Sequence, residues 1–80
     1  MILEKNKMLK KSVVIANRHQ TSISIEPEFW NELVDIAKEK NLPINQLVTI
    51  IDKEKSVENL SSAIRLYVLN FLKSATRNLI

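Results

Sequence analysis

Several residue types are missing or rare in this chain of 80 residues, and each absence excludes a class of protein. There is no cysteine, so neither a disulfide framework nor a thiol nucleophile can form. There is no glycine, which excludes a glycine-rich phosphate-binding loop. The single histidine makes a zinc cluster implausible. No apolar run approaches the roughly 20 residues that a membrane span requires. We therefore expect no enzyme, no metal or cofactor, and no membrane contact.

The small size of the chain points to association. A single domain of this length buries only about 60–65% of its unfolded surface, and such domains usually need a disulfide, a metal or a partner. Only a partner is left here. Residues 1–11 are basic but lack the continuous apolar segment of a secretion signal. Together with the lack of cysteine, this predicts a cytoplasmic protein.

The charge is unevenly distributed along the chain. The net charge is +3, but residues 1–20 carry +4, residues 21–59 carry −4 and residues 60–80 carry +3. A basic segment next to a polar surface is the electrostatic footprint of a nucleic-acid-binding protein. A lysine-rich tail without a function would give the same pattern, so charge alone leaves both interpretations open.

One segment has the alternation of a half-buried β-strand. Residues 20–25 read Q-T-S-I-S-I, which puts two isoleucines on one face and Gln20, Ser22 and Ser24 on the other. No comparable strand follows downstream, and a lone strand leaves its backbone groups unpaired. Pairing with a second copy of the chain would satisfy them. This predicts a homodimer with an intermolecular antiparallel ribbon, whose polar face suits the major groove of DNA.

The segment before this strand has two interpretations. Residues 12–16 read S-V-V-I-A and have strand propensity. They either extend the ribbon or fold back as a short hairpin over Asn17, because asparagine tolerates the left-handed conformation that such a turn needs. We expect a basic flexible arm over residues 1–11, a folded domain over residues 12–73 and a tail over residues 74–80.

The rest of the chain predicts three helices. Pro27 begins the first, since proline suits the first helical turn, and Asn41 ends it. The second begins at Pro43 or Ile44, and the polar run 52–58 contains the next loop. Either Asn59 or Ser61 caps the third helix, and the tail prolongs it or frays.

Strand alternation and helical spacing also assign the buried side chains. The predicted core of the dimer comprises Ile23, Ile25, Phe29, Trp30, Leu33, Leu47, Val48 and Ile51. In the third helix we expect Leu60, Ile64, Val68, Phe71 and Leu72 to face the core.

Two stretches of the chain are distinctive. One begins at Lys10 and reads K-K-S-V-V-I-A-N-R-H-Q-T-S-I-S-I-E-P-E-F-W-N-E-L, and the other begins at Asn59 and reads N-L-S-S-A-I-R-L-Y-V-L-N-F-L. Together they resemble the Arc- and MetJ-like ribbon-helix-helix family of DNA-binding proteins, and more closely its bacterial subgroup of small ribbon-helix-helix domain proteins. The resemblance implies a mostly α fold with an N-terminal strand, an intertwined dimer and a third helix.

The resemblance also implies which residues contact DNA. Base contacts would come from Gln20, Ser22 and Ser24, and phosphate contacts from the backbone N–H groups of Ile44 and Asn45. The basic residues Lys10, Lys11 and Arg18 are expected to meet phosphates as well. This chain departs from the family at Pro43, where relatives often carry a small hydroxyl residue, and at Asn17 and Gln20, where they tend to carry glycine and arginine.

These observations predict a regulator of transcription that acts as a repressor on double-stranded DNA. One alternative is an antitoxin, which also neutralises a toxin protein, although antitoxins of this fold usually carry a long, disordered, charged C-terminal extension. Residues 60–80 are apolar and helical in pattern instead. A second alternative is a scaffold that binds a protein partner without DNA. The acidic stretch 26–58 and the apolar third helix favour this alternative.

Overall fold

The chain folds as a β-hairpin followed by three helices. The structure is a computed structural model that describes residues 7–16 and 18–77. In chain order its elements are β1 (Leu9–Ile15), β2 (His19–Ile25), α1 (Pro27–Glu39), α2 (Ile44–Glu54) and α3 (Leu60–Arg77). The predicted ribbon-helix-helix fold with an additional third helix is confirmed.

The hairpin decides between the two interpretations of the N-terminal segment. β1 and β2 are antiparallel, with Leu9 opposite Ile25 at one end and Ile15 opposite His19 at the other. Of the two interpretations, the hairpin is the one that forms, so β1 pairs with one edge of β2 within the chain. The predicted arm is also too long by three residues, because residues 9–11 belong to β1. Residues 1–6 of that arm lie outside the described residues.

The turn of the hairpin uses a strained residue. Ala16 has a φ of 55°, and the N–H of Arg18 donates to the carbonyl of Ile15 at 3.1 Å. A residue with a Cβ adopts this left-handed conformation at a cost of about 1 kcal/mol. The left-handed residue predicted here, Asn17, lies outside the described residues.

Helix α1 begins and ends where the sequence predicts. Pro27 is its first residue, and Asn41 follows its end with a φ of 58°. The N–H of Asn41 donates to the carbonyl of Lys38, and the N–H of Leu42 donates to the carbonyl of Ala37. This pair of bonds is a Schellman motif, which satisfies the last carbonyls of a helix and favours glycine or asparagine at the left-handed position.

The structure chooses between the alternatives for the ends of the two later helices. Helix α2 begins at Ile44 and continues to Glu54, so the next loop begins within the polar run 52–58 that is predicted to contain it. Asn59 caps α3, because its Oδ1 accepts the N–H of Ser62 at 3.0 Å. Helix α3 reaches Arg77, so residues 74–77 prolong it and are not a separate tail. Residues 78–80 lie outside the described part.

A single hydrophobic core lies between the hairpin and the helices. Its buried members are Val13, Ile23, Ile25, Leu33, Ile36, Ala37, Leu47, Val48, Ile51, Ala63, Ile64 and Val68. Phe29, Trp30, Leu60 and Phe71 pack against it half-buried. Leu72, predicted to face the core, is 39% exposed. The core-facing stripe passes through Val68 and Phe71, and the next residue along a helix points about 100° away from it.

Helix α2 closes the outer edge of β1 with side chains. The N–H of Val14 donates to Asn45 Oδ1 at 3.1 Å, and the N–H of Ala16 donates to Thr49 Oγ1 at 3.0 Å. The hydroxyl of Thr49 donates in turn to the carbonyl of Asn45 at 2.8 Å. Two backbone donors that an edge strand would leave open are thus satisfied by the first two turns of α2.

Helix α3 is tied to the far end of β2. The hydroxyl of Ser61 donates to the carbonyl of Ser24 at 2.8 Å, and Arg65 Nε lies 2.7 Å from Glu26 Oε1. The hydrogen bond from Arg65 is the largest cause that lowers the pKa of the Glu26 carboxyl below its usual 4.5. These contacts fix where β2 ends and α1 begins.

We expect Thr49→Val to destabilise the fold by about 1 kcal/mol, because the N–H of Ala16 loses its acceptor while the shape of the side chain is kept. Urea unfolding at neutral pH measures this. Thr49→Ser keeps the hydroxyl and is the matched control, which should lose less. Wild-type stability in Thr49→Val would contradict the assignment.

The Glu26–Arg65 pair predicts a dependence of stability on pH. Because the folded pKa of Glu26 is lowered, its contribution is present above the usual pKa and is lost as the pH falls through the folded pKa. The difference in unfolding free energy between wild type and Glu26→Gln should therefore be largest above pH 5 and shrink in more acid solution. Glu28→Gln, the same change in the first turn of α1, is the control. A difference that does not change with pH would contradict this prediction.

Candidate nucleic-acid interface

The hairpin has one polar face and one apolar face. Directly opposed residues in an antiparallel pair project to the same side. The pairs Lys10–Ser24, Ser12–Ser22 and Val14–Gln20 therefore share one side, which we call the outer face. All six residues are exposed except Val14, which is half-buried. The opposite side carries the buried Val13, Ile23 and Ile25.

The predicted base-contacting residues lie together on this face. Gln20, Ser22 and Ser24 are all exposed, because the two isoleucines between and beyond the serines enter the core. What the sequence did not reveal is that β1 adds Ser12 and Val14 to the same surface. The sequence leaves residues 12–16 open between a hairpin and an extended ribbon. Only the hairpin places Ser12 and Val14 on the outer face.

Two side chains of the outer face contact one another across the hairpin. Gln20 Nε2 donates a hydrogen bond to Ser12 Oγ at 3.1 Å. Both residues are exposed, so the outer face presents a partly ordered amide to its surroundings. Amides and hydroxyls are both donors and acceptors, which are the groups that read base edges in the major groove.

The N-terminus of α2 is open to an anion. Its N-cap is Pro43, which makes no side-chain cap hydrogen bond. The N–H groups of Gln46 and Leu47 donate to the carbonyl of Pro43. The N–H groups of Ile44 and Asn45 precede them and belong to the orphan donors that every helix start leaves. An open cavity beside them is lined by Ala16, Pro43, Asn45, Gln46 and Thr49. A helix N-terminus of this kind favours phosphate.

The predicted basic contacts separate in the structure. Lys10 is exposed on the outer face, and Arg18 is exposed at the turn of the hairpin. Lys11 projects to the other side of the hairpin, where its Nζ lies 5.2 Å from the centre of the Trp30 ring. An ammonium over an indole face is a cation–π contact. The structure thus places Lys11 away from the outer face, and the phosphate contact predicted for it stays a prediction.

Two structural features bear on other kinds of site. Within residues 7–16 and 18–77, no group of three or more histidine, cysteine, aspartate or glutamate side chains could hold a metal ion. In the same part of the chain, none of the helices has the length and apolarity needed to cross a membrane.

Comparison with known proteins identifies the family. The family model of the ribbon-helix-helix domain matches residues 8–72, which include the hairpin, α1, α2 and most of α3. Neither a curated protein nor a solved structure matches the chain. Proteins of this family generally bind DNA, as regulators or antitoxins, and typically form dimers. The fold and the matched span lead to one conclusion: this chain belongs to the ribbon-helix-helix domain family.

Proposed function

We propose that this protein is a homodimeric, sequence-specific DNA-binding regulator of transcription, and that it acts as a repressor. The observation that carries the proposal is the outer face of the hairpin, where Gln20, Ser22 and Ser24 are exposed together on a rigid support. Side chains with this chemistry fit the major groove, which admits a two-stranded ribbon and displays a distinct pattern of donors and acceptors for each base pair.

Phosphate contacts would hold the outer face in the groove. The N–H groups of Ile44 and Asn45 are the donors at the start of α2, and Asn45 also bonds to β1 through its side chain. One residue thus links the proposed phosphate site to the hairpin. Lys10 and Arg18 supply positive charge near the outer face. Phosphate contacts of this kind set orientation and affinity, whereas base contacts set specificity.

The backbone of β2 supports a dimer. Because the N–H of Val14 donates to α2, Val14 and Gln20 form a pair without mutual hydrogen bonds. By the same alternation, Gln20, Ser22 and Ser24 direct their backbone groups away from β1. Among the described residues, only the carbonyl of Ser24 has a partner there, the hydroxyl of Ser61. A free edge of this kind is a template for another strand.

A second copy would enter along this edge. An open groove lies between β2 and the start of α3, and Ser22, Ser24, Asn59, Ser61 and Arg65 are among its lining residues. Antiparallel pairing of β2 with the β2 of the partner about a two-fold axis would give the order β1-β2-β2-β1. Of the residues predicted for a dimer core, Phe29 and Trp30 are half-buried in one chain and keep surface for a partner. The other six are already buried in the core of a single chain.

A specific observation favours a protein partner as a second candidate function. Leu66, Leu69 and Leu72 are 45%, 49% and 39% exposed on α3. Such a stripe suits an antitoxin or an interaction scaffold that binds another protein through α3. DNA binding by the purified protein alone at moderate salt would favour the regulator. A requirement for a protein partner before DNA binds would favour the alternative.

We expect Gln20→Ala to erode sequence discrimination while the fold stays intact, because this exposed amide can bond to an adenine through two hydrogen bonds. The measurement is competition between a sequence that wild type selects from a random duplex library and scrambled DNA, at fixed salt. The ratio of affinities should fall about tenfold or more, since each bidentate contact discriminates by roughly 1–3 kcal/mol and a dimer makes it twice.

The control for this experiment is Asn31→Ala, which removes an exposed amide from α1. It should leave the ratio unchanged. A Gln20→Ala protein that discriminates as well as wild type would mean that the outer face does not read the bases.

We expect Ser22→Pro to prevent dimerisation without unfolding the chain. Proline removes the N–H of Ser22, which points away from β1 and would bond to the partner strand. Sedimentation equilibrium at micromolar concentration should give a dimer for wild type and a monomer for Ser22→Pro, with equal helical content. Ser12→Pro, directly across the hairpin on the side of α2, is the matched control and should remain dimeric. A wild-type monomer, or a dimeric Ser22→Pro protein, would overturn this interface.

A further inference from the structure

The hydrogen bond between Gln20 and Ser12 has a chemical consequence for base reading. A glutamine amide has two N–H groups and one carbonyl oxygen. Ser12 Oγ accepts one N–H, at a donor–acceptor distance of 3.1 Å. One N–H and the carbonyl oxygen stay available. These are the two groups that glutamine uses on adenine, donating to N7 and accepting from the N6 amino group.

The same bond restrains an otherwise mobile side chain. An exposed glutamine samples many rotamers, and ordering it on binding costs free energy. A bond that orders the amide in the free protein reduces this cost, which is the usual benefit of preorganisation. The acceptor itself is fixed, because Ser12 lies opposite Ser22 in a hairpin whose β1 edge is held by Asn45 and Thr49.

We infer that Ser12 is a positioning residue for Gln20, which sets the plane of its amide for an adenine in the major groove. The inference rests on the proposed function, because it requires Gln20 to read a base. Ser12 acts through Gln20 and not by its own base contact. Its contribution to specificity should therefore disappear when Gln20 is removed.

A double-mutant cycle tests this dependence. Wild type, Ser12→Ala, Gln20→Ala and the double variant are compared by the ratio of affinities for the selected duplex and scrambled DNA, at fixed salt. Ser12→Ala should lower the ratio by about 2- to 10-fold, the range that one neutral hydrogen bond supports. In the Gln20→Ala background the same change should have no effect. Ser12→Thr keeps the hydroxyl and should restore most of the ratio.

A measurement on the free protein gives an independent readout. The side-chain amide resonances of Gln20 should be displaced from free-glutamine positions in the ¹⁵N spectrum of wild type, and should move towards those positions in Ser12→Ala. The side-chain amide of Asn31 is the internal reference. Unchanged Gln20 resonances would overturn the inference.

The outcomes separate the inference from the proposed function. An unchanged ratio in Ser12→Ala, or an equal loss in both backgrounds, would overturn the positioning role while DNA reading by the outer face stands. A wild-type protein that selects no duplex would overturn the proposed function and the inference with it. If Ser12→Ala lowers the ratio of affinities only in the protein that keeps Gln20, the result supports both the proposed function and the inference.

Discussion

Two backbone N–H groups on the outer side of the hairpin, from Val14 in β1 and Ala16 in the turn, donate to side chains in the first two turns of α2. These bonds show which way the backbone groups of the hairpin face, because hydrogen-bonded and non-bonded pairs alternate along an antiparallel ladder. Once Val14 faces α2, the ladder leaves Gln20, Ser22 and Ser24 facing the free edge of β2. The same bonds attach the proposed phosphate site at the start of α2 to the surface that would read the bases.

Because the hairpin forms within one chain, a second copy is not needed to pair β2 for folding. A lone strand would need a second copy in order to fold, whereas the described part of this chain already buries twelve apolar residues by itself. The proposed dimer would therefore serve recognition of DNA and would not be needed for folding. In a sheet of order β1-β2-β2-β1, the two β2 strands lie at the centre, about 4.8 Å apart. The major groove is about 12 Å wide, so in the proposed complex the central pair would enter it and the β1 strands would lie towards the phosphates on either side. Lys10 is on β1 and would then lie at the rim of the groove.

The sequence predicts most of the fold because the deciding signals are local. Alternation defines β2, Pro27 starts α1, and Asn41 has the left-handed conformation that ends it. The sequence predicts strand propensity for residues 12–16 but leaves their pairing open and misses residues 9–11, because adjacent lysines and the run V-V-I conceal the alternation of β1. The partners of its edge are 31 and 33 residues away in the chain, and no local pattern encodes such contacts.

In the candidate site, too, the sequence predicts what local patterns determine and misses what long-range contacts determine. Exposure of Gln20, Ser22 and Ser24 could be predicted from period two alone, and so could the open start of α2 from the proline at its N-cap. The contribution of Ser12 could not, because it depends on which strand lies opposite. The position of Lys11 could not be predicted either, because its contact with the Trp30 ring depends on how α1 packs against the hairpin.

The formal charge of the chain overstates what is available to DNA. Of its basic residues, Lys11 lies over Trp30, Arg65 bonds to Glu26, and Lys55 bonds to Asp52. Side chains engaged in this way would be less available to DNA phosphates in the proposed complex. Lys10 and Arg18 stay exposed at the hairpin and make up a modest cationic surface. In the proposed complex, discrimination between sequences would come from the outer face, where the amide of Gln20 can form a bidentate contact with adenine.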